Sequence, residues 1–334
     1  MRSRAVVFPE PLKAGMQEVV VPDPGPRDLL IEIEYSFLSN GTERWCLTGR
    51  LEVPGAPGFR FPHVPGYQAA GVVRAVGSEI FEYAPGDRVF SRNCREPSGF
   101  EGSWWGGHVR VHVTETPDVL KLPRDISTLQ GSALLIAQVG YNGATKPEVS
   151  PGDVAVVIGE GLVGQFAGQV LRSRGARVIM AGLVPQRLGI AARYSADEVY
   201  DNSDGGLLEF IKERFPDGVS IVIETASSSR TVHLAAELLG KNGQLVLNGF
   251  YPPGESTIDW HWLRRKEITL YCPDSRNRTR LEATLRLMRK GRIRVEELVT
   301  HVIHADKAAE AYTMLLEPSA EFMGVVIDWR DVLI

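Results

Sequence analysis

Cysteine is scarce: the chain has three in 334 residues, Cys46, Cys94 and Cys272. So odd and sparse a set excludes a disulfide-stapled scaffold and points to a reducing compartment, so a cytoplasmic protein is expected. No apolar run approaches the roughly 18 residues that a membrane span needs. In place of a signal h-region, Met1-Arg2-Ser3-Arg4 leads straight into the strand-like Ala5-Val6-Val7-Phe8. Neither charge sign dominates. The 37 Lys+Arg against 41 Asp+Glu leave a net charge of -4, which carries no nucleic-acid footprint. Repeats and low-complexity tracts are missing as well. What is present is 43% hydrophobic and 23% charged residues, enough for real cores. At roughly 150 residues per domain, the length implies about two domains.

The first 125 residues carry short strand-like runs, among them Leu29–Glu34, Gly71–Val76 and Asp87–Phe90, punctuated by Gly and Pro. This predicts a β-rich, barrel-like module. From Ile126 to Gly143 the pattern is apolar with helical spacing. Then strands and helices alternate: Val154–Ile158, a helix over Leu162–Arg174, Arg177–Ala181, a helix around Phe210, Val219–Glu224, Gln244–Asn248 and Ile268–Leu270. Alternation of this kind implies a doubly wound parallel sheet, an α/β fold. An amphipathic helix from Arg280 to Lys290, strands at Val299–Ile303 and Gly324–Ile327 and a helix from Asp306 read as a return to the first module. The expected domains are 1–125, 126–280 and a return segment 281–334.

Gly159-Glu160-Gly161-Leu162-Val163-Gly164 is a GxGxxG that follows an apolar strand and opens a helix. In that context it reads as a dinucleotide site. Gly159 makes the tight turn, Gly161 admits a pyrophosphate, and Gly164 lets helix and strand pack, with the N–H groups of Leu162 and Val163 at the helix start. An acidic residue about 20 residues on would read the ribose 2′-hydroxyl and mark NAD. Here the strand ends in Ala181-Gly182-Leu183, and Arg187 or Arg193 lies beyond. Gly182 leaves room for a 2′-phosphate and Arg187 could pair with it, which favours NADP and leaves NAD open. The alternative is a solvated Arg187 on a helix.

The order of parts resembles the medium-chain dehydrogenase/reductases. The resemblance rests on Pro65-Gly66, Ala70-Gly71-Val72-Val73, Gly77, Pro85-Gly86-Asp87-Arg88-Val89, Gly106-Gly107, Pro151-Gly152-Asp153 and the Gly240–Gly249 region. It implies a GroES-like β-barrel catalytic domain plus a Rossmann domain, with the active site in the interdomain cleft. It also implies a cofactor strand ending at Asn248-Gly249-Phe250 and a homodimer paired through Gln244–Asn248. Ser39-Asn40-Gly41-Thr42-Glu43, Phe61-Pro62-His63-Val64-Pro65-Gly66-Tyr67, Gly249-Phe250-Tyr251, Leu298-Val299-Thr300-His301 and Val326-Ile327-Asp328-Trp329 resemble the bacteriochlorophyllide dehydrogenase branch, which oxidises a hydroxyethyl side chain of a chlorin.

The departures concern zinc. The positions that hold catalytic zinc ligands in the family align with Asn40, Tyr67 and Leu135, which do not supply the three N, S or carboxylate ligands a catalytic zinc needs. The structural zinc lobe needs four cysteines; Ser91–His108 contains only Cys94. No zinc is expected. Hydride exchange with an alcohol then requires a side chain to handle the proton. Tyr67 is the first candidate, provided its phenol is lowered from about 10. Glu43 is a proton relay or an acceptor holding the Thr42 loop, Thr42 a contact for the substrate alcohol or a turn residue, and His63 a further base or a packed ring. His108 ranks lower. Trp45, Trp104 and Trp105 could line an apolar substrate face, and Arg276-Asn277-Arg278 could bind an anionic substrate or start a helix. Three functions stay open: alcohol–ketone exchange on a chlorin side chain or a polyol, quinone or enone C=C reduction with NADPH, and non-catalytic NADP(H) binding.

Overall fold

The computed structural model describes residues 1–51, 60–100, 106–251, 257–274, 276–317 and 321–333. Two compact units emerge, Met1–Leu135 with Val299–Ile334, and Ile136–Leu298. The divisions fall later along the chain than the 125/126 and 280/281 read from the sequence. Helix Arg278–Arg289 buries Leu285 and Met288. The segment after it is tied to the second unit because the Gln169 side chain accepts from the Arg294 N–H at 2.7 Å and donates to the Arg294 carbonyl at 3.4 Å.

The first unit is built around strand Asp28–Phe37. Its alternation puts Leu29, Ile31 and Ile33 in the core, as expected of a strand with one face covered. One edge pairs antiparallel with Ala69–Val76. The other takes Val111–Glu115 at its start and Gly324–Asp328 at its end. The return strand Gly324–Asp328 carries Val299–His304 in parallel. The mixed sheet continues through Arg88–Ser91 to Val119–Lys121, beside a hairpin of Arg2–Val7 and Gly15–Val20. This is a GroES-like domain.

The second unit holds a six-stranded parallel sheet in the order Glu198–Asp201, Arg177–Gly182, Val154–Ile158, Val219–Glu224, Leu239–Leu247, Thr269–Tyr271. The chain order reverses beside Val154–Ile158, the switch point at which Rossmann sheets place ligands. That strand is almost wholly buried, in keeping with its unbroken apolar run.

Three sequence-based expectations change. The apolar stretch Ile126–Gly143 is two helices, Thr128–Ser132, opened by a Ser127–Gln130 capping box, and Leu134–Ala144. The Thr42 segment is not a loop but helix Asn40–Leu47. The strand around Gln244–Asn248 is interior to its sheet, flanked on both sides, so it has no edge to offer a second subunit; the outer strands are Glu198–Asp201 and Thr269–Tyr271.

Candidate active site

In the first unit, helix Asn40–Leu47 organises the candidate residues. Its first turn is fixed by Glu43, whose Oε1 accepts the Ser39 N–H at 2.8 Å while its own N–H donates to the Ser39 carbonyl at 2.8 Å. A carboxylate in the first turn also complements the helix dipole. The other oxygen, Oε2, accepts the Tyr312 hydroxyl at 2.7 Å and meets His108 Nε2 at 2.9 Å. His108 Nδ1 lies 2.7 Å from Ser36 Oγ, which also accepts the Trp329 indole N–H at 2.8 Å. Glu43 and His108 have no solvent exposure. Glu43 is therefore an anchor beneath the helix, with its two carboxylate oxygens engaged by Ser39, Tyr312 and His108.

Above this anchor lies a line of hydroxyls. Tyr67 donates to Ser39 Oγ at 2.5 Å, and Ser39 Oγ donates to Thr42 Oγ1 at 3.3 Å. Burial raises the Tyr67 phenol above its ordinary value, its hydrogen bond to Ser39 opposes that, and the Glu43 charge raises it further. Among the chain's own groups the net effect on the phenol is upward, so Tyr67 carries its proton at neutral pH. His63 is fixed from the N-terminal segment. It pairs through its backbone with Phe8, at 2.9 and 2.8 Å, and packs its ring 6.2 Å from that of Phe8. Desolvation lowers its imidazole to about 3, so it is neutral and packed, not a base at physiological pH.

The positions that align with zinc ligands can be tested as donors. The Asn40 amide donates to the Met323 carbonyl at 2.7 Å, Tyr67 is committed to Ser39, and Leu135 is apolar and buried. Cys94 is buried, accepting the Val113 N–H at 3.5 Å. Among the described residues no group of three or more His, Cys, Asp or Glu side chains is placed to hold a metal ion. The donors present do not fit zinc.

The second unit carries the glycine turn. Gly159 adopts φ +106°, a conformation open to glycine, and a Cβ on Gly164 would lie 1.9 Å from the Gly159 carbonyl oxygen. Helix Leu162–Ser173 begins at Gly161, which has no side chain to cap it and open space around its α-carbon. The first-turn N–H groups of Leu162, Val163 and Gly164 thus face a space that suits a pyrophosphate. Beyond, Gly182 closes its strand. The space it leaves is taken by the Glu160 side chain, whose Oε2 would lie 2.5 Å from a Cβ there. Arg187 sits on helix Pro185–Tyr194 within reach of the Glu160 charge. The vacancy that favoured a 2′-phosphate is therefore filled by a carboxylate.

Asn248 has a structural contact at the strand end. Its amide donates to the Val139 carbonyl at 3.2 Å and packs against Gly143, so it ties the strand end to helix Leu134–Ala144. Gly249 and Phe250 follow, with the Phe250 N–H donating to Ser227 Oγ at 3.0 Å and the ring exposed. Tyr251 donates to Glu224, which also accepts the N–H groups of Ala226 and Ser227. Asn277 caps helix Arg278–Arg289 by accepting the Arg280 N–H at 2.8 Å, as the helix-start reading of that segment expects. Trp45 is partly buried against the first unit's core; Trp104 and Trp105 lie outside the described residues.

The residues least visible in the sequence are Ser36, His108, Tyr312 and Trp329. They come from distant segments, and only the unusual His after Gly106-Gly107 hinted at them.

The chain matches two family models, the alcohol dehydrogenase GroES-like domain over residues 25–124 and the zinc-binding dehydrogenase over residues 163–290. It is 28% identical over 342 residues to 2-desacetyl-2-hydroxyethyl bacteriochlorophyllide A dehydrogenase of Cereibacter sphaeroides, covering 99% of each chain. It is 23% identical to a sorbitol dehydrogenase of Halalkalibacterium halodurans, covering 91% of this chain and 95% of the relative. Among solved structures, a putative zinc-binding dehydrogenase of Sinorhizobium meliloti bound to NADP superposes with a TM-score of 0.85 at 21% identity, over 98% of this chain and 99% of the other. A structure described as a short chain alcohol dehydrogenase of Escherichia coli complexed with NADH gives a TM-score of 0.85 at 20% identity, over 98% and 99%.

Proposed function

The chain belongs to the medium-chain dehydrogenase/reductase superfamily, and from that premise we propose that it is a zinc-independent, nicotinamide-dependent oxidoreductase that interconverts a secondary alcohol and a ketone. The observation that carries this reading is the Tyr67–Ser39–Thr42 hydroxyl line, which lies where metal ligands would be expected. C=C reduction needs no such line. The substrate class is a hydroxyethyl-bearing macrocycle or a polyol, in keeping with the bacteriochlorophyllide and sorbitol dehydrogenases among its relatives.

The glycine turn at Gly159 and the helix start at Leu162, Val163 and Gly164 would hold the pyrophosphate of the dinucleotide. A dinucleotide held there would supply hydride chemistry. The proton falls to the first unit. In reduction, the neutral Tyr67 phenol gives its proton to the oxygen that becomes the alcohol. Ser39 and Thr42 share the resulting charge through their hydrogen bonds. In oxidation the path reverses, and Tyr67 must first be unloaded. Glu43 acts as a positioning residue: by holding the Ser39 N–H it fixes the acceptor of the Tyr67 hydroxyl. A neutral phenol that exchanges its hydrogen bond to Ser39 for one to the substrate oxygen would do the work that a Lewis acid does in zinc enzymes.

The test is turnover of secondary alcohols and their ketones by metal-stripped protein, with bound metal assayed in the same sample. Activity should survive stripping. Tyr67→Phe should lower kcat about 10²- to 10⁴-fold and leave the dinucleotide dissociation constant unchanged. Stoichiometric zinc that is required for turnover, or a Tyr67→Phe enzyme as fast as the parent, would overturn the reading.

A further inference from the structure

We infer that Glu160 is the cofactor-selecting residue, its carboxylate reading the ribose 2′-hydroxyl at Gly182 and setting a preference for NAD(H) over NADP(H). This rests on the reading that the second unit binds a nicotinamide dinucleotide.

The strand that ends at Gly182 has no carboxylate of its own. The structure brings one there from another segment. Glu160 is the variable residue between the first two glycines of the turn, and it is buried to 8% exposure. Its Oε1 accepts two backbone N–H groups just past the strand, Leu183 at 3.1 Å and Val184 at 3.0 Å. Those bonds fix the side chain in one place. Its Oε2 makes no hydrogen bond among the described residues and faces Gly182, where any larger residue would collide with it. The pairing is reciprocal: Gly182 has no side chain because Glu160 fills that volume.

The consequence for a ligand is one of charge. A carboxylate with one oxygen pinned and one open accepts a hydrogen bond from a hydroxyl. Against a 2′-phosphate it is a like charge at short range in a partly desolvated site, which repels. Arg187 does not reverse this. It lies on the following helix in the field of Glu160, so part of its charge is offset by that carboxylate. Gln165 keeps the three in register: its amide donates to the carbonyls of Glu160 and Arg187, each at 3.1 Å.

Isothermal titration of the full chain with NAD⁺ and with NADP⁺ tests this without any turnover. The wild type should bind NAD⁺ at least about tenfold more tightly, the scale of one hydrogen bond to a charged group. Glu160→Gln keeps an oxygen for the Leu183 and Val184 N–H groups but removes the charge. It should weaken NAD⁺ and strengthen NADP⁺, moving their ratio by about tenfold or more. Glu160→Ala should move the ratio in the same direction. A merely structural Glu160 would weaken both cofactors equally in Glu160→Ala and change neither in Glu160→Gln. Either that pattern or a wild type that favours NADP⁺ overturns the inference while leaving the dinucleotide reading standing. The wild-type comparison decides even if a variant fails to fold. Binding of neither cofactor overturns both.

Discussion

Tyr67 turns on the conflict between burial and its neighbours. Desolvation pushes its phenol up, and the Glu43 charge adds to the push, while the hydroxyls of Ser39 and Thr42 pull it back only in part. The phenol is raised, so it is protonated throughout the neutral range and loses its proton only at alkaline pH. Ketone reduction, which uses the loaded phenol, should therefore keep a constant kcat/KM across neutral pH. Alcohol oxidation, which needs it unloaded, should rise in kcat/KM with pH and reach no plateau below about 10, the ordinary phenol value. Steady-state kinetics in both directions from pH 6 to about 10 would check this. An oxidation plateau near neutral pH would mean that another group takes the proton.

At the level of elements, the glycine turn is the clearest case of packing that serves a site. The Gly159 carbonyl occupies the place a Cβ on Gly164 would take, so helix Leu162–Ser173 starts close after strand Val154–Ile158. Gly164→Ala would place a methyl group 1.9 Å from that carbonyl oxygen. The helix start must then move. The expected result is a loss of about 1–3 kcal/mol of stability and at least tenfold weaker dinucleotide binding. Chemical denaturation together with titration of the cofactor would measure both. An unchanged affinity would mean that the helix start does not hold the pyrophosphate. Helix Asn40–Leu47 makes a comparable junction in the other unit, where Glu43 binds one end of the helix to His108 and Tyr312.

For the molecule as a whole, the two units differ in how they should respond to acid. His63 and His112 both lie in the first unit, and burial lowers each to about 3. A histidine of the unfolded chain titrates near 6.5. The folded values are depressed, so this contribution to stability is complete above about 6.5 and lost progressively as pH falls toward 3. The thermal midpoint of the first unit should fall over that window. His63→Gln and His112→Gln should each make the fall shallower. Calorimetry at stepped pH values would show it, and a midpoint independent of pH between about 6.5 and 4 would contradict the burial of these rings.

Local patterns alone determined much of this protein. The continuous apolar run Val154–Ile158, the glycines that follow it and the alternation of strands and helices placed the Rossmann sheet, because hydrophobic periodicity and turn residues act over short stretches of chain. The family resemblance set Asn40, Tyr67 and Leu135 at the zinc-ligand positions, and their residue types make a poor set of donors. What only the tertiary structure decided are juxtapositions across distant segments. Glu43 meets His108 and Tyr312 across 65 and 269 residues of sequence. Glu160 fills the space beside Gly182, which read in isolation as room for a phosphate. His63 packs its ring against Phe8, from a segment 55 residues away in sequence. In each case the deciding quantity is the burial and charge that neighbours from elsewhere in the chain impose, and no local pattern encodes which neighbours those are.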